Sequence, residues 1–138
     1  MTYSELKNRQ EKEHNNFPFM FAFSSKQFDE GMIKLGLTPT DKNKIFSIGG
    51  GGFIRKTDSQ KLADLFKKHT KEVAEARKDD QYLYDMFLYE LGNHEYCITY
   101  DPTDTLRALN LTIEDVNNDE RMKKALIKAT KDYLKFYE

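Results

Sequence analysis

Apolar residues along this chain change period several times, and each change marks an element. After the turn residues Asn15 and Asn16, Phe17, Phe19, Phe21 and Phe23 alternate with Pro18, Met20 and Ala22. A period of two with apolar residues on both sides predicts a buried strand, with Pro18 confined to its beginning. The period then lengthens: Phe28, Met32 and Leu35 fall at i, i+4 and i+7, one stripe of a helix that Ser24 or Ser25 can cap. "KLGL" closes that helix, because Gly36 can take the left-handed position after the last turn, Leu37 can supply the accompanying apolar contact, and Pro39 prevents resumption. Lys44 to Ile48 and Phe53 to Lys56 are short extended runs joined by four glycines, which reads as a β-hairpin.

Helical periodicity dominates the remainder. A short helix, Ser4 to His14, has little apolar surface beyond Tyr3 and Leu6 and is expected on the outside or against a partner. Asp58 or Ser59 opens a long helix whose stripe runs through Leu62, Leu65, Phe66, His69, Val73 and Ala76. Tyr82 to Leu91 is apolar or aromatic around nearly its whole circumference, which predicts a central, buried helix that Gly92 and Asn93 can end. "EYCIT" is a strand candidate. In "YDPTDTLRALN", Asp101 can cap and Pro102 can take the first helical position, while Thr112 with Glu114 or Asp115 opens another helical turn. The last helix starts near Asp119, with Met122, Ala125, Leu126, Ala129 and Tyr133 on one face, and "KFYE" is either its frayed end or a docking tail. No repeat or linker divides the chain. The expectation is a single α+β domain over residues 1–138: three to four antiparallel strands (Phe17 to Phe23, the glycine hairpin and Tyr96 to Thr99) covered by helices.

Composition narrows the function classes. The 138 residues include ten Phe and eight Tyr but no Trp, so the core should be aromatic. Twenty-two basic residues against 23 acidic ones remove the global electrostatic argument for nonspecific binding to nucleic acid or anionic membranes. Cys97 is the only cysteine, which excludes an intrachain disulfide and a multi-cysteine zinc site and fits a reducing, cytoplasmic setting. The charged N-terminus lacks the apolar core of a signal peptide, and no run reaches the roughly 18 apolar residues of a membrane span.

The glycine run "FSIGGGGFIRK" is the first candidate for chemistry. A Walker loop needs Gly-Lys-Ser/Thr opening a helix, and a dinucleotide fingerprint needs spaced glycines at a strand-to-helix turn; an extended "FIRK" follows here instead. Three uses stay open: a flexible hairpin connection, a protein-facing surface, or a nest in which the amides of Gly49, Gly50, Gly51 and Gly52 with Arg55 and Lys56 hold a phosphorylated small molecule or nucleic acid. Arg55→Ala with Lys56→Ala is expected to leave the fold intact. Alanine at Gly50 and Gly51 is expected to cost little unless either has φ > 0.

His94 and Cys97, three apart, offer a nitrogen and a sulfur that His69 or Glu95 could extend to a zinc site or that could form a nucleophilic pair, against a buried Cys97 and a His94 serving the preceding helix end. His69 on its apolar stripe reads as a hydrogen-bonded structural histidine, and Tyr82, Tyr84 and Tyr89 as core rather than base-stacking residues. No cofactor is expected. "LGNHEY" contains the Gly-Asn-His-Glu string of calcineurin-like metallophosphoesterases, but the early Asp-x-His, the Gly-Asp-x-x-Asp block and the later histidines of that family are missing.

Taken together, "FAFSSKQFDEGMIKLGL", "IFSIGGGGFIRK", "YELGNHEYCITYDPTDTLRALNL" and "RMKKALIKA" resemble a family of small uncharacterised proteins of bacteria, phages and mobile elements. That resemblance brings no catalytic residue. It implies an accessory protein that acts by binding a host or defence component, with a protein as the expected partner.

Overall fold

Eight α-helices and three strands are assigned in the computed structural model, which describes residues 1–136; the last two residues of "KFYE" lie outside the described residues. In chain order they are α1 (Tyr3–Asn15), β1 (Met20–Phe21), α2 (Ser25–Lys34), β2 (Ile45–Gly49), β3 (Gly52–Arg55), α3 (Ser59–Ala76), α4 (Asp80–Asn93), α5 (Tyr96–Thr99), α6 (Thr103–Ala108), α7 (Ile113–Asn117) and α8 (Glu120–Lys135). A small antiparallel sheet with several helices is an α+β fold. The chain divides into two compact units, Gln10–Thr70 and Met1–Arg9 with Lys71 onward.

In Gln10–Thr70 the sheet has the order β1-β3-β2. Pairing of Met20 with Phe53 and of Ser47 with Phe53 puts these three on one face, against α2; Phe21, Gly52, Ile54 and Phe46 share the other. The α2 side forms a core of Met20, Met32 and Leu35, with Ala22, Phe28, Leu37, Ile45 and Phe53 around it. The ends of α2 follow the sequence closely. Ser24 accepts from Gln27 N at 3.2 Å, and at the C-terminus Gly36 takes φ +76° while Leu37 N donates to Met32 O at 2.9 Å. Gly31 is bare for another reason: a Cβ there would run into the Met20 side chain, so it sets how closely β1 approaches α2.

The strand expected from Phe17 to Phe23 is only Met20–Phe21, and its inside and outside differ from the expectation. Met20 and Ala22 turn to the core, whereas Phe21 is 56% and Phe23 78% exposed. The reason is that α2 covers one face only, and the inward positions must fit the space above Gly31.

The second unit is built on α4. Tyr82, Leu83, Met86, Phe87, Glu90 and Leu91 are buried along one half of it, whereas Tyr89 is 44% exposed and Tyr84, Asp85 and Leu88 are half-buried, so the helix is central but not buried on every side as its nearly apolar circumference predicts. Helices α5, α6 and α8 pack on α4 and α7 on α8, with Leu106, Leu109, Val116, Ala129 and Tyr133 completing the core. Leu6 of α1 is buried in the same core, so this part of α1 is not a bare outer helix. Tyr96 to Thr99 corrects a second expectation: it is a helical turn, not a fourth strand. Left-handed Glu95 (φ 52°) and Tyr100 (φ 53°) bracket it, Cys97 N lies 3.4 Å from Tyr133 Oη, and Ile98 faces outward. Chain reversal at both ends leaves no extended segment for a sheet to use.

Candidate functional site

The glycine run is the turn of the β2–β3 hairpin. Gly49 pairs with Gly52 across Gly50 and Gly51, whose φ values of 59° and 78° are those of the left-handed turn that matches strand twist. Gly49 is also left-handed at 85°, beside a bulge between Ser47 and Gly49. The last two glycines have a further duty, because aromatic and aliphatic side chains lie directly on them. A Cβ on Gly51 would come 2.6 Å from Phe23 Cε1, and one on Gly52 would come 2.9 Å from Ile48 Cγ1 and 3.0 Å from Phe21 Cε1. The run is therefore a turn and a seat for side chains from β1 and β2.

Those side chains make one apolar surface. Phe21, Phe23, Phe46 (46% exposed) and Ile48 (42%) surround the turn, and Lys56 Nζ stands 5.1 Å from the centre of the Phe46 ring. Aromatic packing continues from Phe21 to Phe19 (6.0 Å between ring centres), from Phe19 to Phe17 and His14, and from His14 to Phe66. Exposed apolar groups gathered in this way, rather than scattered singly, mark contact surfaces.

The anion-nest arrangement finds less here. Arg55 is already used: its Nε donates to Asp58 Oδ2 at 2.7 Å and its Nη1 to Leu35 O at 3.2 Å, tying β3 to the last turn of α2. Asp58 is buried, so this pair is structural. Lys56 is exposed and rests on Phe46. Three successive left-handed glycines also lack the right-to-left alternation by which neighbouring amides converge on an anion. Structure thus brings Gly49 to Gly52 together with Lys56 near one apolar surface and withdraws Arg55 into the framework.

Other candidates are placed as follows. Lys68 Nζ donates to Glu13 Oε2 at 2.8 Å, and His69 Nε2 lies 3.5 Å from the same oxygen but makes no hydrogen bond among the described residues, so the hydrogen-bonded histidine expected from its apolar stripe is not what the structure places there. Cys97 sits half-buried against Tyr133. His94 belongs to a network that sequence reading missed. Glu90, fully buried on α4, accepts from Tyr3 Oη (2.7 Å) and Lys7 Nζ (3.0 Å) on Oε1 and from Asn93 Nδ2 (3.3 Å) on Oε2; His94 Nε2 is 3.2 Å from Oε2 but out of line for a hydrogen bond. Burial raises the Glu90 pKa, yet the bonds from Tyr3, Lys7 and Asn93 outweigh it and hold the carboxyl below its ordinary value. Tyr3 is pushed up in turn, by burial first and then by its bond to that carboxylate. The network fixes the first turns of α1 on α4. A glutamate with apolar Met86, Phe87 and Leu91 at i−4, i−3 and i+1 is the signal that could have found it.

No curated protein and no solved structure matches the chain. Among the described residues, no helix is long and apolar enough to cross a membrane. Residues 2–132 match the model of a family of unknown function, DUF7659, and the chain belongs to that family.

Proposed function

We propose that this chain works by binding a host protein through the outward face of its small sheet, as an accessory protein of the phage or mobile-element type, with a cytoplasmic defence component as one form of target. The observation that carries this reading is the exposed apolar surface of Phe21, Phe23, Phe46 and Ile48 seated on the glycine turn. Rigid aromatic side chains give large contact area at low entropic cost, which is why they anchor protein interfaces. A near-neutral chain suits a contact of this kind better than one driven by charge. The alternative is a phosphate ligand or nucleic acid held by Gly49 to Gly52 and Lys56, with Arg55 less available because of Asp58.

Capture from bacterial lysate on immobilised full-length chain, washed over a range of salt, tests the two together. A protein retained at high salt and lost with Phe21→Glu or Phe23→Glu supports the proposal. Retention of nucleic acid that falls steeply with salt favours the alternative, because phosphate contacts release counterions. A retained protein that is indifferent to both substitutions sinks the proposal.

A further inference from the structure

The free edge of β2 has a geometry that the outward face alone does not use. Ala22 N donates to Gly51 O at 2.9 Å, so along the β1–β3 ladder the next hydrogen-bonded pair is Met20 with Phe53. Phe53 therefore spends its N–H and C=O on β1. On the β2 side, Ser47 opposite Phe53 is a non-hydrogen-bonded pair, and Phe46 opposite Ile54 is the bonded one. By alternation, the N–H and C=O of Ile45 and Ser47 point away from β3, to the open edge of the sheet. Phe46, Ser47, Ile48 and Gly49 are all exposed, and Ile45 to Gly49 contains no charge and no proline, so the bulge after Ser47 is what guards this edge.

We propose that β2 pairs with β2 of a second copy of this chain, antiparallel, about a two-fold axis at Phe46. In that register Ile45 of each copy faces Ser47 of the other, and both outward N–H and C=O groups of each residue are satisfied. Phe46 meets its own mate in the non-hydrogen-bonded position, where side chains approach most closely. Lys44 ends the 3-10 turn before β2 and its Nζ lies 3.6 Å from Asp41 Oδ1, so it stands outside the paired stretch, and Ile45 to Gly49 brings no like charges to oppose each other. Pairing cannot extend past Ile48, because the bulge there changes the direction of the backbone groups. A second copy is favoured over a foreign strand because this edge is complementary to itself: two outward-pointing residues flank one aromatic. The product is a six-stranded sheet with both α2 helices on one side and both apolar faces on the other.

This inference goes beyond the contact proposed above, since it uses the edge of the sheet and not its face. Sedimentation of the full chain over a hundred-fold concentration range should show a monomer–dimer equilibrium reaching twice the chain mass. Ser47→Pro removes an outward N–H but no bond to β3, and should give a folded monomer, checked by circular dichroism. Register is read separately: in a Cys97→Ser background, Phe46→Cys should form a disulfide-linked dimer under mild oxidation and Ser47→Cys should not. A wild-type chain that stays monomeric, a dimer indifferent to Ser47→Pro while folded, or a link through Ser47→Cys and not Phe46→Cys would overturn it. A monomeric wild type that still captures a protein through Phe21 and Phe23 removes the pairing alone, whereas a dimer that captures nothing removes only the contact.

Discussion

Four glycines in a row look like one signal, but residue by residue they do different things. Gly50 is left-handed with open space around its Cα, so alanine there meets only the backbone cost, about 1 kcal/mol, and asparagine, which tolerates that region, should be close to neutral. Gly51 is left-handed and lies under Phe23, so Gly51→Ala should cost more than Gly50→Ala, and Gly51→Asn should not recover it. Urea denaturation of the three variants gives the order directly. Both residues thus meet the condition under which alanine is no longer cheap. Arg55 and Lys56 are equally unlike. Arg55→Ala strands the buried carboxylate of Asp58 and should cost about 3 kcal/mol, which conflicts with the sequence-based expectation of an intact fold for the double alanine variant; Lys56→Ala should change stability by about 0.5 kcal/mol or less. Thermal melts of the separate variants check this, and Lys56→Ala is the one to carry into binding assays.

At the level of elements, what the sequence made legible was set by local chemistry. The stop of α2 at Gly36 and Leu37, the hairpin and the central place of α4 were readable because each depends on residues adjacent in the chain. The outward turn of Phe21 and Phe23 was not, because it depends on α2 covering one face and on Gly31 making room for Met20, a contact between distant positions. That contact is testable. Gly31→Ala should destabilise by about 1–3 kcal/mol, and most of the loss should vanish in a Met20→Ala background, a coupling that a double-mutant cycle reads. Tyr96 to Thr99 was misread for a related reason: its β-prone letters yield to two left-handed residues that close a helical turn. The Glu90 network, also non-local, makes its own prediction. Because the folded Glu90 pKa is lowered, its contribution is complete above the unfolded value near 4.3 and is lost as pH falls through the folded value. Because the folded Tyr3 pKa is raised, its contribution is complete below about 10 and declines as pH rises beyond that. Denaturation midpoints against pH should therefore fall in acid less steeply for Glu90→Gln than for the wild type, and in alkali less steeply for Tyr3→Phe.

For the whole molecule, near-neutral charge and a sheet whose second face buries Ile54 but leaves Phe21, Phe23, Phe46 and Ile48 exposed around a stiff turn are what support the proposed contact. The family fixes no activity, so the position at which a partner touches is the deciding quantity. Hydrogen–deuterium exchange on the complex captured from lysate measures that position without any substitution. The partner is expected to slow exchange in residues 20–23 and 45–52, while amides of α4 and α8 exchange as in the free chain. Slowed exchange confined to residues 71–136, with the hairpin unaffected, would contradict the proposed contact.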